Sequence, residues 1–181
     1  MAKIKSGESA SRSDYRTDLV IERLTGKPTD FFTNSAMQWG TDQEPFARIK
    51  YEEKFDLFVE QIAFVKHPTI EFFGASPDGL VGADGMLEIK CPNSKTHIKY
   101  LNDGKPPSKY IPQMQCQMAV TGRKWCDFVS FDPRMPEGLD FFVVRLDRDE
   151  EYIKAMEAEV QQFLSEVEQE LSQLRKKLNG N

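Results

Sequence analysis

Ser76-Pro77-Asp78-Gly79-Leu80, followed by Leu87-Glu88-Ile89-Lys90-Cys91-Pro92, is the stretch that decides the fold of this 181-residue chain. Pro77-Asp78-Gly79 is a strong turn signal, and Pro92 closes a short apolar run. On a strand, residues two apart share a face. Glu88 and Lys90 therefore project together, roughly 7 Å apart along the strand, while Ile89 faces apolar surroundings. A short antiparallel return from the turn brings Asp78 back beside Glu88. Two adjacent carboxylates resist joint ionisation, and a divalent cation relieves that conflict. Hard oxygen ligands suit Mg²⁺, with Mn²⁺ as a substitute. Lys90 then lies beside the cation, where it can orient or help deprotonate a water that attacks a phosphodiester. Taken singly, Asp-Gly reads as a common turn and Glu-x-Lys as a surface ion pair.

Outward from this stretch, Phe58–Cys91 reads as a three- or four-strand antiparallel meander, with His67-Pro68 in an exposed turn. Upstream, a helix is predicted near Arg12–Leu24, ended by Gly26-Lys27-Pro28. A second helix spans Asn34–Glu60, with Pro45 as a break or a first-turn residue. Downstream, Asn93–Pro112 reads as a long connection, Gln113–Val120 as a helix, and Trp125–Phe131 and Leu139–Leu146 as strands. Asp149–Leu178 repeats apolar residues every three or four positions, which predicts a long amphipathic helix. Glu150 and Glu151 open that helix and Arg175, Lys176 and Lys177 close it, matching its dipole. Trp39, Trp125 and Cys91 read as core residues. The expected class is α/β, a central mixed sheet flanked by helices. The expected organisation is one domain over 1–181, with its core at about 33–146 and the long helix at about 149–178.

Formal net charge is −5, which by itself does not advertise a nucleic-acid binder. Its distribution matters more. Residues 90–124 carry seven basic residues against one acid, Asp103. A basic patch on an acidic protein can hold a phosphate backbone, although a solvated lysine run looks the same. Lys95, Lys99, Lys105 and Lys109 are its candidate contacts, and His97 lies among them. No run of apolar residues is long enough to span a membrane, and the N-terminus has no apolar signal core. Three cysteines without CxxC spacing give no disulfide framework and no metal-cluster signature. A reducing cytoplasm is the expected compartment.

Pro-Asp, about ten residues, then Glu-x-Lys is the PD-(D/E)xK nuclease signature. Together with Trp39-Gly40 and Glu44, Gln113-x-Gln115 and Asp132-Pro133-Arg134-Met135, it resembles the lambda exonuclease family, the YqaJ-type phage recombination nucleases of restriction-endonuclease-like fold. The likeness covers roughly residues 33–165. It implies catalytic Asp78, Glu88 and Lys90. It also implies a metal held by Asp78, Glu88 and the Ile89 carbonyl, with Glu44 serving a second metal. Gln113 matches a helix glutamine near the active site. Ser11, with Lys5 or Arg12, is the counterpart of a phosphate-binding Arg…Ser segment whose usual spacing is not kept here. Met37 matches an apolar wedge between terminal base pairs, and equally fits a core methionine.

The resemblance further implies Mg²⁺-dependent 5′→3′ digestion of one strand from double-stranded DNA ends. It implies a homotrimer threading DNA through a ring, a phage single-strand annealing protein as partner, and a phage or prophage gene expressed in a bacterial host. An endonuclease or a non-catalytic DNA-binding module of the same fold are the alternatives. A Cas4-like nuclease needs four cluster cysteines, and this chain has three.

Overall fold

A computed structural model describes residues 3–4, 7–29, 33–178 and 180. The chain divides into two compact units, one of residues 33–153 and one of residues 1–32 with 154–181.

The larger unit opens with α2, Ser35–Phe55, whose N-cap Asn34 accepts a hydrogen bond from the Met37 N–H. The helix runs through Pro45 and ends at Asp56 in a left-handed conformation, φ 48°. The strands that follow are β3 (Val59–Glu60), β4 (Val65–Lys66), β5 (Gly74–Ala75), β6 (Gly79–Val81), β7 (Gly85–Lys90), β8 (Trp125–Phe131) and β9 (Phe141–Asp147). Five of them form one sheet in the order β3-β6-β7-β8-β9. Only the β7–β8 pair is parallel. A parallel pair needs a crossover. It is made by α3 (Ser94–Asp103), a 3₁₀ turn (Ser108–Tyr110) and α4 (Ile111–Thr121).

β7 is the middle strand and its side chains sort by parity. Leu87, Ile89 and Cys91 join Ala47 and Tyr51 of α2, with Val129 and Phe131 of β8, in one apolar core. Met86, Glu88 and Lys90 face the crossover side. There, Tyr100 and Tyr110 both contact Phe128 of β8, with ring centroids 5.6 Å apart in each case. Trp39 and Trp125 are half-buried and pack against the first core.

The smaller unit contains the antiparallel ribbon β1 (Lys3–Ile4) and β2 (Gly7–Glu8), α1 (Ala10–Thr25), and most of α5 (Glu150–Leu178). Its core is Val20 with Phe163, Val167 and Leu171, and Tyr15 stacks on Phe163 at 5.7 Å. Gly26 closes α1 at φ 68°. The mixed sheet, its flanking helices and the long C-terminal helix agree with the sequence reading.

Four local expectations need correction. The predicted meander is two structures: β3, β6 and β7 belong to the main sheet, whereas β4 and β5 form a separate two-stranded ribbon. Pro77 lies at the passage between them, where its missing N–H cannot continue a ladder. The Asn93–Pro112 connection contains α3, because the Asn93 side chain caps the Thr96 N–H and starts a helix. His67 is buried, and its Nδ1 accepts from the Ile70 N–H at 3.0 Å. His97 is also buried, between Ser130 Oγ at 2.7 Å and the Leu139 carbonyl at 2.8 Å, and so cannot meet phosphate.

Candidate active site

Asp78 stands immediately before β6, where Gly79 lets the strand approach β3. A Cβ at Gly79 would lie 2.2 Å from Val59 Cγ1. The Asp78 N–H donates to the Leu87 carbonyl at 3.3 Å, and Asp78 Oδ2 accepts from the Ile89 N–H at 2.6 Å. The aspartate is thereby fastened to β7 by two bonds that flank Glu88 in sequence. Glu88 has no solvent exposure. Its Oε1 is paired with Lys90 Nζ, and its Oε2 accepts from Gln117 Nε2 at 2.7 Å. Lys90 Nζ also sits 5.2 Å from the centre of the Tyr110 ring.

The electrostatics follow from burial. Burial, then the charge of Glu88, pushes the Asp78 carboxyl up to about 7, against the pull of Lys90 and the Ile89 N–H. Burial alone would lower the Lys90 ammonium. Glu88 and Asp78 outweigh that penalty and hold it above its ordinary value. One ammonium thus faces two enclosed carboxylates, and the charge of Glu44 also reaches Asp78. A site with this excess of hard anionic oxygen fits a divalent cation held by Asp78 and Glu88. Among the described residues, no three His, Cys, Asp or Glu side chains group closely enough to hold one by themselves. The remaining ligands would therefore be backbone oxygen, water or substrate phosphate, an arrangement normal for Mg²⁺.

Residues 2–124 match the YqaJ-like viral recombinase domain. The chain belongs to that family. It is 48% identical to the alkaline exonuclease LHK-Exo of Laribacter hongkongensis, over 95% of this chain and 87% of that one, with a TM-score of 0.90. The same enzyme in complex with dAMP matches equally well. A phage-related exonuclease of Haemophilus somnus 129PT, 18% identical with a TM-score of 0.67, shares the fold over 98% of this chain and 90% of its own. The ExoD protein of Escherichia coli strain K12 is 32% identical over 68 residues, 37% of this chain and 76% of that protein.

The other residues singled out from the sequence lie as follows. Glu44 is half-buried on α2, its Oε1 3.4 Å from Arg48 Nη1. Met37 is exposed on the same helix. Lys95 and Lys99 are exposed on α3, and Lys105 and Lys109 are exposed beyond it. Lys109 lies 4.6 Å from the centre of the Tyr110 ring, the ring that also receives Lys90. Gln113 is exposed on α4. Ser11 and Arg12 belong to the smaller unit. Ser11 is exposed, whereas Arg12 is buried, paired with Glu8 and with Glu166 Oε2 at 2.6 Å. Lys5 lies outside the described residues.

Sequence reading missed Gln117 and Tyr110. The signal for Gln117 was helical spacing, one turn after Gln113 on α4; Tyr110, in the 3₁₀ turn before that helix, carried none.

Proposed function

We propose that this chain is a Mg²⁺-dependent exonuclease that digests one strand of double-stranded DNA from its ends, 5′→3′, leaving a single-stranded 3′ tail. The observation that carries the reading is the convergence of Asp78, Glu88 and Lys90 on one face of β6–β7, around the bond from the Ile89 N–H to Asp78 Oδ2. Membership of a viral recombinase family and close likeness to an alkaline exonuclease support the same reaction class. The complex of that relative with dAMP, a deoxynucleoside monophosphate, suits release of mononucleotides.

Asp78, Glu88 and the Ile89 carbonyl would hold the cation, with Glu44 toward a second one. Bound there, a cation polarises the phosphoryl oxygen and stabilises the departing one. This chain's own residues do the rest. Glu88 and Asp78 present fixed oxygens from a rigid strand and its neighbouring turn. Lys90 orients the attacking water through its ammonium, and would take the water's proton only as a neutral amine, its own proton having passed to solvent once a cation on Glu88 cancels the carboxylate charge that stabilises the ammonium. Tyr110 covers the ammonium on one side and keeps bulk water from it. Exposed Lys95, Lys99, Lys105 and Lys109 contact the phosphate backbone, so activity falls as salt rises. Met37 meets the terminal base pair, Gln113 serves the strand end, and exposed Ser11 is a phosphate contact of the smaller unit, where Arg12 is committed to Glu8 and Glu166. A homotrimer encloses the duplex, and a phage single-strand annealing protein receives the tail in the bacterial cytoplasm.

Linear duplexes with and without a 5′-phosphate, each strand labelled separately, test the reading in the presence of Mg²⁺. Mononucleotides appearing from the 5′ end of one strand are expected. Cleavage of closed circles would make the enzyme an endonuclease, and binding without cleavage would make it a DNA-binding module. A monomer by light scattering would remove the ring.

A further inference from the structure

α4 and the 3₁₀ turn before it supply the side chains that meet the crossover-facing residues of β7. Thr121 Oγ1 contacts Met86 Sδ at 3.9 Å, Gln117 Nε2 meets Glu88 at 2.7 Å, and Tyr110 stands over Lys90 at 5.2 Å. Thr121 and Gln117 are one turn of α4 apart, about 6 Å, and Met86 and Glu88 are two strand residues apart, about 6.6 Å, so this part of the helix keeps step with the strand. The helix offers Thr121 to Met86 and Gln117 to Glu88, the 3₁₀ turn before it offers Tyr110 to Lys90, and the side chain facing Glu88 is an amide.

We propose that Gln117 is the positioning residue for Glu88: a neutral donor that holds the carboxylate in its ligand orientation without spending its charge. This rests on the reading of Asp78 and Glu88 as cation ligands. The amide is fixed at a second point, since Gln117 Nε2 also donates to the Ser76 carbonyl at 3.3 Å. That bond ties the glutamine to the segment just before Asp78. One side chain thus spans the two chain segments that carry the two acids. Gln117 is itself 1% exposed, and its Oε1 is buried with no hydrogen-bond partner among the described residues. A glutamine retained for stability would satisfy both ends of its amide, because an unpaired buried acceptor is costly. Here only the donor end is used, and its shorter bond is to Glu88.

Neutrality matters as much as reach. A lysine or arginine at position 117 would give Glu88 a second cationic partner and compete with a metal ion for the same oxygens. An apolar residue would leave Glu88 Oε2 without a donor, and the carboxylate would swing wholly toward Lys90. Glutamine avoids both outcomes.

The full-length wild-type chain is compared with Gln117→Met, nearly equal in volume but without a donor, and with Gln117→Lys. Crystal structures without added metal report the Glu88 carboxylate, and calorimetric titration with Mn²⁺ reports affinity. In Gln117→Met, Glu88 is expected to leave its wild-type position. Mn²⁺ affinity should fall about 10- to 100-fold, the range for lost outer-shell partners. Activity on linear duplex should lose kcat with KM for DNA unchanged. Gln117→Lys should weaken Mn²⁺ binding further. Glu88 unmoved in the Gln117→Met crystal, or Mn²⁺ affinity unchanged in both variants, overturns the proposal. A wild-type protein that binds no Mn²⁺ would overturn the metal-dependent function, while the position of Glu88 in the two crystals would still decide the role of Gln117.

Discussion

The Ile89 N–H donates to Asp78 Oδ2 at 2.6 Å, so a turn aspartate is clamped to the central strand by one oxygen and keeps the other for a ligand. The two jobs of Asp78 can be separated. Asp78→Asn keeps an oxygen that can accept the Ile89 N–H but removes the charge. It should fold normally and bind Mn²⁺ more weakly by at least the ~10- to 100-fold that loss of an outer-shell partner costs, since Asp78 is read as a direct ligand. Asp78→Ala loses the clamp as well and should be less stable by a further ~1 kcal/mol. Thermal melts and calorimetry check both. Wild-type Mn²⁺ affinity in Asp78→Asn would remove this residue from the metal site.

Lys90→Met should have opposite effects on stability and on metal affinity. Glu88 has no solvent exposure, and losing the ammonium beside it leaves an enclosed charge with only Gln117 as partner among the described residues. Breaking a buried pair costs about 3–5 kcal/mol; Lys90 keeps 26% exposure, which reduces the expected loss to about 1–3 kcal/mol. Removing a positive charge beside a cation site should at the same time tighten Mn²⁺ binding. Turnover should fall about 10²- to 10⁴-fold, as when a group that handles the proton is deleted. Full activity in Lys90→Met would take the lysine out of the reaction.

How much of this was legible in the sequence depends on the range of the interaction. Asp78, Glu88 and Lys90 could be read because a turn, a strand period of two and a short return are local rules. The buried state of His97 could not, since its partners Ser130 and Leu139 lie 33 and 42 residues away. Gln117 escaped for the same reason, with Glu88 29 residues distant. The break between the β4–β5 ribbon and the main sheet was written in Pro77, but the alternating apolar residues from Phe58 onward suggested one continuous meander. α3 was hidden by the lysines and glycine around it, although Asn93 is an ordinary helix cap.

Gly79→Ala probes how closely Asp78 depends on the sheet beneath it. The added Cβ would collide with Val59 Cγ1 at 2.2 Å, and overpacking of this kind costs about 1–3 kcal/mol. The strand that relieves the clash carries Asp78 with it, so Mn²⁺ affinity should fall along with the melting temperature. Gly40→Ala is the control. Nothing lies within 4 Å of a Cβ there, and in a helix the change should stabilise by about 0.5–1 kcal/mol. Equal melting of both variants would mean that β6 can shift away from β3 at no cost.

In the smaller unit, Glu166 makes an acid-sensitive link between its two helices. The Arg12 bond holds the Glu166 carboxyl below its ordinary value of 4.5, despite some desolvation, and Arg16 holds Glu8 below the same value. A carboxylate with a depressed folded-state pKa contributes stability that is present above 4.5 and is lost as pH falls through the folded value. Wild-type protein should therefore melt at progressively lower temperature as the medium is acidified below 4.5. Glu166→Gln should already be less stable at neutral pH, because Arg12 is 9% exposed and, among the described residues, keeps only Glu8 as an anionic partner. Its acid slope should be shallower, since one of the titrating groups is gone. Salt should narrow the gap between the two proteins, because partly exposed pairs are screened. Parallel pH profiles for the two proteins, followed by the helical signal in circular dichroism, would show that Arg12 and Glu166 contribute nothing to holding α1 against α5.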